Sequence, residues 1–291
     1  MMSTFYGLLA LVLVVQPMDA SASAVASSDR GALVVTYLAN EGFLIEMGET
    51  KILIDALFGE GLRHYEVVPP MIRRELESAT GRFAGVDLIL ATHIHDDHFD
   101  ADAVARHLRA NPTARFISTR QAVERLDRVD ASLTARAKGF WPDEGTRHVE
   151  TFANGDLAGV TLTVFNLHHG RQRRLPIQNL GLLLDLDGHR LFHIGDTEVD
   201  LDDVAELRMD RLGIDVAFVP TWFVVTPKHR RVAESFGAEH WIVMHMGAAG
   251  APAGYFYPKT TRADLVRYLA GNAPQAWVPT DPLAERTFGS P

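Results

Sequence analysis

Residues 91–100 read ATHIHDDHFD. Three of the thirteen histidines of the chain, and three aspartates, fall within these ten positions. The run follows VDLILATH (86–93), an unbroken apolar stretch of the kind that forms a strand buried on both faces. Polar side chains at the end of a buried strand are well placed for chemistry. His93 and His95 are spaced i, i+2, so an extended chain would direct both rings to one side. Asp97 and His98 follow after a turn and do not easily reach that face. Two pairs on one cleft suggest two cations. Imidazole with carboxylate suits Zn²⁺, with Mn²⁺ or Fe²⁺ as alternatives. On residue types alone, a solvated polar loop remains the competing reading.

On both sides of this stretch the chain alternates strand and helix signals. ALVVTYLA (32–39), GFLIEMG (42–48) and TKILIDAL (50–57) read as short strands, with MGETK (47–51) as a hairpin turn. A helix is expected around Pro70–Ser78. DADAVARHLRAN (100–111) has helical spacing, with Asp100 or Asp102 as its N-cap. ARFISTR (114–120) reads as a strand and RQAVERLDRV (120–129) as a helix. In the second half, Gly42–Asp55 aligns without a gap on Gly181–Ile194. Glu46 meets Asp185 and Lys51 meets Arg190, which suggests two hairpins of the same geometry. IDVAFVPTWF (214–223) and EHWIVMHM (239–246) read as buried strands around a helix, KHRRVAESF (228–236), and RADLVRYLAG (262–271) as a last helix. Two strand groups with intervening helices indicate a layered α/β fold.

Composition narrows the classes. The chain has 291 residues, 47% hydrophobic and 22% charged, with a net charge of −9. An acidic surface repels phosphate backbones, so no nucleic acid partner is expected. Phe5–Val15 is an apolar run followed by overlapping A-x-A sites, Ala20-Ser21-Ala22 and Ala22-Ser23-Ala24. The expectation is a signal peptide over 1–24 and a single domain over 25–291, secreted or periplasmic, with no stable membrane anchor after cleavage. The absence of Lys and Arg from 1–24 departs from that pattern, and an uncleaved anchor is the alternative. There is no cysteine, so disulfides and a cysteine-linked lipid anchor are excluded. Oligomeric state is not legible.

The pattern His-x-His-x-Asp-His, here HIHDDH after Thr92, resembles the signature of metallo-β-lactamase-fold hydrolases. The resemblance runs from about residue 33 to about residue 250. It implies an α/β fold of four layers, an αββα sandwich. It also implies a third histidine after a strand in the second half, where TVFNLHHG offers His169, followed by Gly170, with His168 in reserve. A bridging aspartate is implied in Gly-Asp-Thr, here Asp196, and a late strand-end histidine, here His245. One ion would then rest on His93, His95 and His169, the other on Asp97, His98 and His245, with Asp196 between them. Asp55 is a candidate to orient a ligand histidine from behind. A water held between two such ions loses a proton near neutral pH and can attack a carbonyl carbon or a phosphorus. Asp97 is a candidate proton shuttle. Asp96 and Asp100 are not assigned to metal.

Departures limit the branch. The class B1 and B2 β-lactamases use a cysteine ligand, and class B3 lacks the aspartate corresponding to Asp196. Glyoxalase II-like enzymes carry Pro-Gly-His-Thr where this chain has LHHG. Flavodiiron-type members replace the second histidine with glutamate, and the RNA-processing members need extra domains and basic surface. NLGLLLDLDGHRLFHIGDTE is most similar to the branch of ascorbate-phosphate lactonase-like and N-acyl-phosphatidylethanolamine phospholipase D-like enzymes. That implies a small-molecule substrate with a lactone, phosphodiester or related ester bond. Candidate substrate contacts are Arg171, Arg173 and Arg174 after the third histidine, Trp222, and Tyr255, Phe256 and Tyr257. A metal-binding protein without catalysis on the same fold is the second class.

Overall fold

A computed structural model of the protein describes residues 31–61, 65–143, 145–152, 157–170, 176–248 and 261–289. The expected signal segment and its cleavage site therefore lie outside the described residues.

The described residues build two seven-stranded sheets. The first contains β1 (Leu33–Ala39), β2 (Gly42–Met47), β3 (Thr50–Ile54), β4 (Leu88–Leu90), β5 (Arg115–Thr119) and β6 (Ala137–Phe140) in that spatial order. The second contains β7 (Arg147–Thr151), β8 (Val160–Asn166), β9 (Leu180–Leu186), β10 (His189–His193), β11 (Val216–Pro220), β12 (His240–Met244) and β13 (Ala276–Trp277), again in order. The last strand, β14 (Glu285–Phe288), returns to the free edge of β1. In each sheet an antiparallel half passes into a parallel half: β3 to β6 are parallel neighbours, as are β10 to β13. The two sheets therefore share one topology, with β2–β3 and β9–β10 as the equivalent hairpins. Glu46 faces Lys51 across the first and Asp185 faces Arg190 across the second, as ion pairs of 3.7 and 3.0 Å.

The continuous apolar runs follow from burial on both faces. Leu88 and Leu90 point into the core between the sheets, while Ile89 points into a second core under helices. Tyr37, Phe43, Ile52 and Ile54 make the same division with Leu38, Leu44 and Leu53. Phe43 meets Phe218 of the other sheet edge-on, with ring centroids 4.8 Å apart. The outer face of the first sheet is covered by α1 (Pro70–Glu77), α2 (Ala101–Ala110) and α3 (Arg120–Val129). Residues of α4 (Leu201–Leu207), α5 (Thr221–Val225), α6 (Pro227–Ser235) and α7 (Arg262–Asn272) pack into the core of the second sheet. The result is the αββα sandwich.

Local chemistry sets the element ends. Asp100, not Asp102, caps α2: its Oδ1 accepts from the backbone N–H of Asp102 and Ala103 at 2.8 and 3.2 Å. The strand expected over 214–223 stops at Pro220, and Thr221–Val225 turns into a short helix. Pro220 ends the ladder because it has no N–H to donate and sits at an extended φ/ψ that opens a helix.

His107 couples stability to pH. It is fully buried on α2, and its Nδ1–H donates to the Leu76 carbonyl of the loop end of α1 at 2.6 Å. Burial holds its pKa below the ordinary histidine value, and Nε2 has no hydrogen-bond partner. Protonation would bury an unpaired N–H⁺. The unfolded chain takes up this proton near pH 6.5 while the folded one resists it. The His107 contribution is thus complete above that pH and is lost as pH falls from there toward the folded value. Denaturant midpoints across pH 5–8 should show this slope, and His107→Gln should flatten it.

Candidate metal centre

Strand direction brings the histidines and aspartates together. Within the first sheet β1, β3 and β4 run one way, and in the second β8, β10, β11 and β12 do. Their C-terminal ends carry Asn40 and Glu41, Asp55, Thr92–His98, His168 and His169, Asp196, Trp222, and His245 in turn. Main-chain bonds stitch the two edges at this place: Leu180 N–H to Thr92 O at 2.9 Å and His245 N–H to Asn40 O at 3.3 Å. Three of these strand-end residues, Asn40, Asp55 and His245, have left-handed φ of 47°, 46° and 55°. Such backbone is uncommon for a residue with a Cβ and gathers at functional sites.

Two groups of donor atoms result. Ligand atoms of His93, His95, His169 and Asp196 lie within 4.8 Å of one another, and so do those of Asp97, His98 and His245. Asp196 stands between them. Its Oδ2 is 3.8 Å from His93 Nε2, 3.6 Å from His169 Nε2 and 3.2 Å from His245 Nε2, and its Oδ1 is 3.6 Å from His98 Nε2. Asp97 Oδ2 is 3.7 Å from His98 Nε2 and 3.9 Å from His245 Nε2. His168 belongs to neither group; its carbonyl accepts from Thr197 Oγ1–H at 2.9 Å. Asp96 is exposed.

The set fits divalent cations on its own chemistry. Asp97 Oδ1, His98 Nε2, both ring nitrogens of His169 and Asp196 Oδ1 are buried without a hydrogen-bond partner. Buried polar atoms are otherwise paired almost throughout protein interiors, and unpaired carboxylate and imidazole lone pairs are what a divalent cation takes. The electrostatics agree. Burial pulls the His98 imidazole down, but the carboxylates of Asp97, Asp196 and Asp55 outweigh it and hold its pKa well above the usual range. The potential that would protonate His98 also draws a cation, which displaces that proton. Burial pushes Asp196 up, yet His245 and His98 bring it well below the carboxylate range. His93 and His95 are held down, first by burial and then by neighbouring histidines.

Asp55 organises both groups from behind. Its Oδ2 accepts from His98 Nδ1–H at 2.9 Å and from Thr92 Oγ1–H at 2.6 Å, and its Oδ1 from Thr92 N–H at 2.7 Å. With its proton committed to Asp55, Thr92 Oγ1 can accept from His93 Nδ1–H, 3.0 Å away. One carboxylate thereby turns an Nε2 lone pair of each group toward the centre.

Further contacts of the centre carry no motif in the sequence. Asn40 Nδ2–H donates to Asp97 Oδ2 at 3.1 Å and to Asp97 O at 3.3 Å. Asn179 Oδ1 accepts from Asp196 N–H at 3.1 Å, and its Nδ2–H groups bond Leu167 O and Ile194 O. Tyr65 lies edge-on to His245 with centroids 4.2 Å apart. Asn40 and Glu41, between two apolar strands, look like turn residues, and an Asn before a strand looks like a boundary. Only their partners reveal them. Trp222 is buried, with its indole N–H on Thr197 O at 3.0 Å and its ring 4.9 Å from His245, so it forms a wall of the centre. A cavity of about 310 Å³ opens beside His169, bordered by Trp141, Pro142, Asn166, His168 and Ile177. Arg171, Arg173, Arg174, Tyr255, Phe256 and Tyr257 lie outside the described residues.

Two facing mixed sheets, an outer helix layer on each side, and a His/Asp centre at their joined strand ends define the metallo-β-lactamase class of fold. The family model of the beta-lactamase superfamily domain matches residues 50–260. The chain belongs to that superfamily. It is 29% identical over 217 residues to a UPF0173 metal-dependent hydrolase of Korarchaeum cryptofilum, covering 72% of this chain and 82% of the relative. It is also 29% identical over 167 residues to one of Staphylococcus carnosus, covering 53% and 64%. The solved structure of Igni18, a metallo hydrolase from Ignicoccus hospitalis, superposes with a TM-score of 0.60 at 18% identity, over 89% of this chain and all of that one.

Gly195 of the Gly-Asp-Thr run tests how tightly the edges meet. It has φ 57°, and a Cβ there would overlap Asn179 Oδ1 and stand 2.9 Å from Thr92 Cβ. Gly195→Ala should lose at least ~1–2 kcal/mol from its backbone alone and loosen both Thr92 and Asp196. Chemical denaturation together with divalent-ion titration checks this; an unchanged midpoint and affinity would refute it.

Proposed function

We propose that the chain is an exported hydrolase that uses two divalent ions to cleave an ester-type bond in a small molecule: a lactone, a phosphodiester or a related ester. One observation carries this reading. Two groups of ligand atoms lie on either side of a single carboxylate, Asp196, and Asp97 Oδ1, His98 Nε2, both ring nitrogens of His169 and Asp196 Oδ1 among them are buried without a hydrogen-bond partner. His93, His95 and His169 would hold one ion, Asp97, His98 and His245 the other, and Asp196 both. Zn²⁺ suits this imidazole-rich set best, with Mn²⁺ or Fe²⁺ as alternatives.

When bound, such a pair supplies Lewis acidity and lowers the pKa of a water between the ions. The chain's own groups supply the rest. Asp55, through Thr92 and directly, fixes the tautomers of His93 and His98. Asn40 holds Asp97 by one oxygen, and Asp97 Oδ1, without a donor, is the atom proposed to take up a proton during turnover. Trp222 and Tyr65 flank His245 and keep water from that side. The cavity beside His169 is the proposed substrate entrance. The relatives described as metal-dependent hydrolases support the reaction class. The apolar run Phe5–Val15 with its A-x-A sites supports export.

Metal analysis of the purified protein, with a panel of lactones and phosphodiesters, tests the proposal. Two ions per chain and turnover of at least one ester class are expected. Asp196→Ala and His98→Ala should each lose metal and lower activity more than about 100-fold, beyond the 10–100-fold usual for groups that only support a ligand. Stoichiometric metal without turnover of any ester would instead mark a metal-binding protein.

A further inference from the structure

Glu41 is the one acid among the described residues with both carboxylate oxygens buried and without a hydrogen-bond partner. It follows β1 in the stretch LANEGF and is fully buried. Neither Oε1 nor Oε2 has a hydrogen-bond partner. Its carboxylate lies within 4.8 Å of ligand atoms of His98 and Asp196, and on its other side within 4.8 Å of Asp55 and His193. Neither imidazole gives its side chain a hydrogen bond. His98 Nδ1, 3.7 Å from Glu41 Oε2, already gives its proton to Asp55. His193 Nε2–H donates to the main-chain carbonyl of Glu41 at 3.2 Å, and His193 Nδ1 accepts from Gly195 N–H at 3.3 Å. Burial first, and then the carboxylates of Asp196, Asp55 and Asp97, push the Glu41 carboxyl well above the usual range against the pull of His98.

An acid in such a place is strongly disfavoured in its ionised form without a counter-charge. A glutamine of the same shape would avoid that cost. The charge count explains the acid. Asp55, Asp97 and Asp196 leave two divalent ions with an excess of one positive charge while the water between them keeps its proton, and one further carboxylate offsets it. Glu41 is the fourth carboxylate of the cluster, beside Asp196 and His98.

We infer that Glu41 is a positioning residue of the metal centre, the buried counter-charge that keeps the second divalent ion bound beside His98 and Asp196. The inference rests on the two-ion reading proposed above.

Metal-free wild-type, Glu41→Gln and Glu41→Asp proteins should be titrated with Zn²⁺ against a chromophoric chelator and melted with and without Zn²⁺. Wild type is expected to bind two ions. Glu41→Gln should bind one of them at least about 10-fold more weakly, in the range of outer-shell effects on metal affinity. Its metal-free melting temperature should be no lower than wild type, while its rise on Zn²⁺ addition should shrink. Glu41→Asp should regain part of the affinity. Two ions bound by Glu41→Gln with wild-type affinity would overturn the inference and leave the proposed function standing. So would a metal-free Glu41→Gln that melts lower or fails to fold, since the amide keeps the shape of the side chain and such a loss would mark a structural role that does not involve the metal. Wild type that binds no divalent ion would overturn the proposed function itself.

Discussion

The centre is organised around one carboxylate that stands behind its ligand histidines. Asp55 accepts three hydrogen bonds, two from Thr92 and one from His98. Because Thr92 Oγ1 then has only lone pairs to offer, His93 must give it Nδ1–H. A histidine in each donor group is thus held with Nε2 toward the middle. A residue whose own φ is 46° makes this possible, because the chain turns sharply after β3 and lets the side chain reach back across β4. The backbone strain is offset by charge-assisted hydrogen bonds, which are about twice as strong as neutral ones.

The fold delivers these groups by repeating one sheet topology. Each sheet has an antiparallel half followed by a parallel half, and the strands that end at the centre run in one direction within each. Carboxyl ends of parallel strands gather on one edge, which is where open α/β sheets bind ligands. When the two sheets face each other across Phe43 and Phe218, both edges meet, and the gap between them is lined from both sides. Gly195 is needed because Asn179 and Thr92 close in on the turn that presents Asp196. Burial at this seam strips water from polar groups, so their lone pairs face one another or an ion.

Much of this was legible along the chain. The strand before His93 shows in its unbroken apolar run, and the matching hairpins show in the alignment of Gly42–Asp55 with Gly181–Ile194. Helices α2 and α3 follow their apolar spacing closely. Other features were not. Pro220 ends its strand earlier than the apolar run suggests, since hydrophobicity reports burial and not ladder geometry. Asn40, Glu41, Asn179 and Tyr65 have ordinary local surroundings, and each matters only through a residue far away in the chain. Asn40 meets Asp97 across 57 positions, and Glu41 meets His193 across 152.

The sequence by itself determined the local donors: a dense His/Asp loop after a buried strand, an aspartate in Gly-Asp-Thr, and histidines closing two later strands. Residue type and spacing within a few positions are enough for that, because strand period and turn chemistry act locally. Only the tertiary structure decided that His169 and not His168 enters the donor group, that Asp196 stands between the two groups, and that Glu41 is enclosed with three other carboxylates. Those outcomes depend on the facing of two sheets, and the charge a buried acid meets there is a property of the enclosure, not of its neighbours in the chain.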